Sequence, residues 1–183
     1  KLILRLLEVG LDFIPDYTMC DGDSVGEAGW TITALHTPGH TSNHLCFALS
    51  EEATLLTGDH VMGWSTTVIA PPDGRMSDYL NSLRKLLDRD DHLFRPTHGP
   101  AITNPKSLVR AFLDHRDKRT TQILGYLRSG RETIEEIVQF IYADHDPRLH
   151  RAASYSILAH LIALVEDGRV GCNEIVPTLV SRY

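Results

Sequence analysis

Apolar and polar positions alternate along the first hundred residues in short blocks. Trp30 to Leu35 is a β-rich run, Leu45 to Leu49 is short and apolar between polar flanks, and Ala53 to Thr57 is another such run. Runs this short, bounded by turn-forming residues, predict buried strands. His92 to Arg95 predicts a last strand. Three of these runs are followed at once by His36-Thr-Pro-Gly-His40-Thr41, Gly58-Asp59 and Pro96-Thr-His98-Gly-Pro100. That order places polar chemistry in loops at strand ends. Asp21-Gly22-Asp23 reads as a turn, residues 60–76 as a loop rich in Gly, Pro and Thr, and Ser77 as the cap of a helix whose Leu80, Leu83 and Leu87 share a face.

Beyond residue 100 the period becomes helical. Asn104-Pro105 marks a helix start, since Pro is tolerated in the first turn, and the pattern runs to about Arg128 before Gly130. Thr133-Ile-Glu-Glu136 has the form of a capping box and opens a helix with Ile134, Ile137, Val138 and Ile141 inward. A third helix is expected from about Leu149 to Glu166, followed by a turn at Asp167-Gly168-Arg169-Val170 into a short strand. Strands therefore come first and helices last, with a domain boundary expected within residues 116–132.

The 183 residues are 42% hydrophobic, enough for a core, and the formal net charge is -6. An acidic chain does not attract nucleic-acid phosphates or anionic lipid as a whole. No apolar run approaches the roughly 20 residues of a membrane span. Lys1 to Leu7 is basic and apolar, but Glu8, Asp12 and Asp16 follow with no small-residue cleavage site, so no signal peptide is expected. Cys20, Cys46 and Cys172 are odd in number and widely spaced, which fits reduced thiols in a cytoplasmic protein.

The chemistry concentrates in the three loops. His36, His40 and His44 stand four apart, but Pro38 and Gly39 exclude a regular helix, so they sit on a strand-to-loop turn that can aim an imidazole at a metal. A carboxylate at Asp59, after Gly58, can reach into a cleft and bridge two cations. His98 is held between small or rigid neighbours that leave its ring accessible. One His or Asp in a loop is ordinarily a surface residue. The weight lies in three loops of the same kind, each directly after a β-like run.

In this order and spacing, His36-Thr-Pro-Gly-His40-Thr, Thr57-Gly-Asp59 and Pro96-Thr-His98-Gly-Pro100 resemble the third, fourth and fifth motifs of the metallo-β-lactamase superfamily. Phe13-Ile-Pro-Asp16 and Asp21-Gly-Asp23 resemble the segment before the third motif. Gly63-Trp-Ser-Thr-Thr67, Asp78-Tyr-Leu-Asn-Ser-Leu83 and the tail from about residue 117 resemble the lactamase-β-2-like subgroup and its winged-helix-like C-terminal domain. The resemblance implies an α/β fold: the C-terminal half of a metallo-β-lactamase αββα sandwich in residues 1–116, then a helical winged-helix-like domain in 117–183. It implies that His40 binds one metal, Asp59 bridges both and takes part in catalysis, and His98 binds the second. His36, His44 and His60 receive no metal role.

The implied activity is hydrolysis of an ester, thioester, lactone or similar bond in a small-molecule substrate by a metal-bound hydroxide, with two zinc ions as cofactor. Gly63, Thr66 and Thr67 are the expected substrate-contacting residues. None of the ten histidines forms the superfamily's first motif, His-x-His-x-Asp-His. Together with the absence of an initial Met, this leads to the expectation of a C-terminal piece of a longer protein, weak in zinc and inactive alone, because zinc sites normally use at least three protein ligands. A sheet without its partner layer exposes an apolar face, and self-association into a homo-oligomer is one way to cover it. Two other readings are a nuclease or binder of single-stranded nucleic acid and a non-catalytic interaction module. Against the first, residues 133–183 carry four arginines and seven carboxylates, a poor footprint for phosphates.

Overall fold

The computed structural model describes residues 16–144 and 146–183. Phe13-Ile-Pro of the resemblance above and the N-terminal basic stretch lie outside them. Five strands form one sheet in sequential order: β1 (Ser24–Glu27), β2 (Trp30–His36), β3 (Leu45–Leu49), β4 (Thr54–Gly58) and β5 (Leu93–Pro96). The first three pairings are antiparallel and β4–β5 is parallel. A parallel neighbour needs a crossover, which α1 (Met76–Leu87) supplies. Leu35 pairs with Cys46, and Ala48 with Leu55, which pairs in turn with Phe94, so one face of the sheet is a continuous apolar band. It packs in a core with Tyr79, Leu83 and Leu86 of α1 and with Val109 and Phe112 of α2 (Pro105–Arg128).

Two further helices follow, α3 (Ile134–Ile141) and α4 (His150–Glu166). With Ile123 of α2 they form a second core around Ile134, Ile137, Ile157 and Leu161. The helix α2 runs unbroken through residues 116 and 117 and serves both cores, as does α4, whose Ala159 reaches the first. The capping box forms at Thr133: its hydroxyl accepts from the Glu136 amide while Glu136 returns to the Thr133 amide.

Four local features differ from the expected pattern. Strand β1, exposed throughout, forms because the two-residue Ala28-Gly29 turn, with Gly29 at φ +100°, folds it back onto β2. The helix α1 starts at Met76, with Arg75 rather than Ser77 flanking it, because the Arg75 amide is held by the Gly39 carbonyl at 2.9 Å. Its buried face is Tyr79, Leu83 and Leu86, with Leu80 and Leu87 on the margin, since the aromatic Tyr79 carries the apolar stripe. Finally, no strand follows Gly168 among the described residues. The amides of Arg169 and Val170 return to the Leu164 carbonyl and close the end of α4, and paired bonds between Asn173 and Arg182 shut the tail into a loop.

Candidate metal centre

His40, Asp59 and His98, far apart in sequence, come together at the ends of β2, β4 and β5. Asp59 turns one carboxylate oxygen toward each imidazole: Oδ2 lies 3.8 Å from His40 Nε2 and Oδ1 lies 3.6 Å from His98 Nε2. These separations exceed hydrogen-bond length. Two zinc–ligand bonds of about 2.0–2.2 Å each can span them. Asp59 Oδ1 is buried and has no hydrogen-bond partner, which a cation would remedy. The three donors therefore fit a pair of metal ions in part. Among the described residues, no three His, Cys, Asp or Glu side chains gather around one point as a complete metal site.

The backbone sets each donor. His40 Nδ1–H donates to the Val68 carbonyl at 2.8 Å, which fixes the tautomer and leaves the Nε2 lone pair toward Asp59. Gly39, at φ +136°, crosses so close to α1 that a Cβ there would lie 2.3 Å from the Tyr79 Cα. Gly58, at φ +54°, turns the chain into Asp59, and a Cβ there would strike His44 Nε2. The Thr97 amide bonds the Gly58 carbonyl at 3.1 Å and the Gly63 amide bonds the His98 carbonyl at 3.0 Å, tying the third loop to the second.

The remaining histidines have other work. His36 donates through Nε2 to the Ser42 carbonyl at 2.9 Å, and its own amide bonds Asp21. That amide, helped by Lys85, holds the Asp21 carboxyl below its usual range. His44 Nδ1 bonds the Thr37 hydroxyl at 2.9 Å. Burial pushes His44 down to about 4, with His40 adding to the shift and Asp59 opposing it. His60 is fully buried against Tyr79, and desolvation pushes it down to about 3. Both are neutral imidazoles packed behind the donors.

The expected substrate contacts differ in setting. Thr67 is buried, and its hydroxyl donates to the carbonyls of Asp59 and His60. Gly63 sits against Pro100 and joins the loops. Thr66 is partly exposed. Three supports escaped the sequence reading. The Val68 carbonyl orients His40, Tyr79 walls the site, and buried Arg116 on α2 donates to the Thr67 carbonyl and stacks over Tyr79. A charged residue on a polar-looking helix carries no local signal of such a role.

Residues 4–98 match the model of the metallo-beta-lactamase superfamily, and residues 133–174 match the beta-lactamase associated winged helix domain. The chain belongs to the metallo-β-lactamase superfamily. Among curated relatives, it is 35% identical over 130 residues to an atrochrysone carboxyl ACP thioesterase of Aspergillus chevalieri, covering 67% of this chain and 41% of that protein. It is 34% identical over 151 residues to a beta-lactamase-like protein 2 homolog of Caenorhabditis elegans, covering 82% and 50%. The chain thus spans about half the length of these relatives. A metallo-beta-lactamase family protein from Thermus thermophilus superposes with a TM-score of 0.83 at 26% identity, covering all of this chain and 58% of that one. Among the described residues no helix is long and apolar enough to cross a membrane, and all three cysteines are free.

Proposed function

We propose that the chain carries part of the active site of a metal-dependent hydrolase acting on thioesters or related acyl bonds. The observation that carries this reading is the single carboxylate of Asp59 facing His40 with one oxygen and His98 with the other. His40, Asp59 and His98 would hold two metal ions, with zinc the best match to the imidazoles, and the ions when bound would supply Lewis acidity and lower the pKa of a coordinated water. Val68 keeps His40 in the metal-binding tautomer, and neutral His44 and His60 add no positive charge beside the site. Thr66 and the exposed Trp64 lie on the same loop as Val68, whose carbonyl holds His40, and the three carry no charge, which suits an acyl group more than a charged substrate. The thioesterase named among the relatives favours the thioester within the acyl class.

One imidazole and a share of one carboxylate per ion are fewer than the three protein ligands of ordinary zinc sites. The chain alone is therefore expected to bind zinc weakly. Calorimetric titration of the metal-stripped chain tests this: tight stoichiometric binding, or binding unchanged by Asp59→Ala, overturns it. In a protein that joins this chain to the further length its relatives carry, Asp59→Asn is expected to lower hydrolysis of an acyl thioester by roughly 100-fold or more. Undiminished hydrolysis by that variant defeats the functional assignment.

A further inference from the structure

The segment between β4 and α1 contains no helix or strand, so its place is set by individual contacts rather than by a backbone ladder. Two neighbouring residues in it touch both His40 and Asp59. The Thr67 hydroxyl donates to the carbonyls of Asp59 and His60. One residue on, the Val68 carbonyl accepts the His40 Nδ1–H at 2.8 Å. His40 follows β2 and Asp59 follows β4, and their facing atoms lie 3.8 Å apart. Residues 67 and 68 thus tie the two together, and a turn of the peptide between them disturbs both.

The tie is held from the long helix. Arg116, in the middle of α2 and 3% exposed, donates from Nη2 to the Thr67 carbonyl, which belongs to that same peptide. Its guanidinium lies 5.3 Å from the centre of the Tyr79 ring, against which His60 packs. On the helix side, the Thr120 hydroxyl donates to the Arg116 carbonyl. Among the described residues no carboxylate pairs with Arg116, and its Nε has no hydrogen-bond partner. A buried cation compensated so little is a costly way to stabilise a fold, and an apolar side chain of similar size would serve as well or better. A planar guanidinium on a carbonyl is, however, a good way to hold a backbone in one place.

We propose that Arg116 is a positioning residue of the metal centre: by holding the Thr67 carbonyl, it keeps Val68 on His40 and Thr67 on Asp59. The proposal rests on the reading of His40 and Asp59 as metal ligands and names a group on which their arrangement depends. Without the guanidinium the 67–68 peptide is free to turn. His40 then loses its acceptor, and its imidazole takes up the tautomer with the proton on Nε2, where the lone pair for a metal should be.

The test reads His40 in the metal-free chain. Long-range 1H–15N correlation NMR at about pH 8.5, two units above the ordinary histidine pKa of about 6.5, reports which ring nitrogen carries the proton. The parent chain is expected to show the Nδ1–H tautomer. Arg116→Met, close in size but without a donor, is expected to remain folded and to show the Nε2–H tautomer in roughly half of the molecules or more. Its weak zinc binding is expected to fall about tenfold further in calorimetric titration. Ile123→Val, which loosens the same helix in its other core, is expected to leave the tautomer unchanged. Retention of the Nδ1–H tautomer in Arg116→Met, its absence from the parent chain, or an equal loss in Ile123→Val overturns the proposal. If Arg116→Met does not fold, Arg116→Leu is read in its place, and unfolding of both assigns Arg116 to folding alone and overturns the proposal as well. A tautomer that depends on Arg116 with zinc affinity that does not defeats only the reading of His40 as a metal ligand. A tautomer independent of Arg116 defeats only the positioning role.

Discussion

Gly39, beside the metal ligand His40, and Gly130, after the long helix, both have positive φ, +136° and +83°. A Cβ at Gly39 would overlap the backbone of Tyr79, whereas at Gly130 it would meet nothing within 4 Å. The contrast runs through the two regions. Around the metal centre, loops are held by contacts from distant elements, and the donor oxygen Asp59 Oδ1 lies buried without a hydrogen-bond partner. In the helical region, ends are satisfied locally, by the capping box at Thr133 and the closing turn after α4. A site that must receive a cation keeps its donors incompletely paired, and the packing around it has to hold them in place.

Substitutions should separate the regions by size of effect. Gly39→Ala forces a backbone clash at a conformation Ala avoids, and a loss of about 4 kcal/mol or more in chemical denaturation is expected. Gly130→Ala, with the left-handed conformation as its only penalty, is expected to cost about 1–2 kcal/mol. Equal losses would show that the Gly39 turn can move away from α1.

A smaller effect should come from pH. His160 on α4 is buried, and desolvation, with Arg116 next, pushes it down to about 3 from the ordinary histidine value of 6.5. The unfolded chain takes up this proton near pH 6.5 and the folded chain does not. Stability from this group is therefore full above pH 6.5 and falls as the pH drops toward 3, by about 1.4 kcal/mol at pH 5.5. His160→Asn should flatten that part of the pH profile in metal-free protein, and an unaltered slope would refute the assignment. The smallest change is expected from Thr133→Ala, about 1 kcal/mol by thermal or chemical unfolding, because only the cap of α3 is lost.

Much of this was legible in the chain. Leu45–Leu49 is the strand its apolar run predicts, Pro105–Arg128 begins at the Asn-Pro signal, and the capping box forms at Thr133. These depend on neighbours a few residues apart, so short-range pattern suffices. Ser77 misled because a tertiary bond to Gly39, rather than a side-chain cap, starts α1. The expected strand after Gly168 failed because the local amides close on α4.

The order of polar loops after apolar runs, the three donor residues and the membership they signal are properties of the sequence by itself, because each motif is local. Only the tertiary structure decided that Asp59 faces His40 and His98 with different oxygens, that Val68 fixes the His40 tautomer from 28 residues away, and that Arg116 braces the loop from the long helix. Contacts between distant segments depend on how the sheet and helices pack, and no short-range pattern records that.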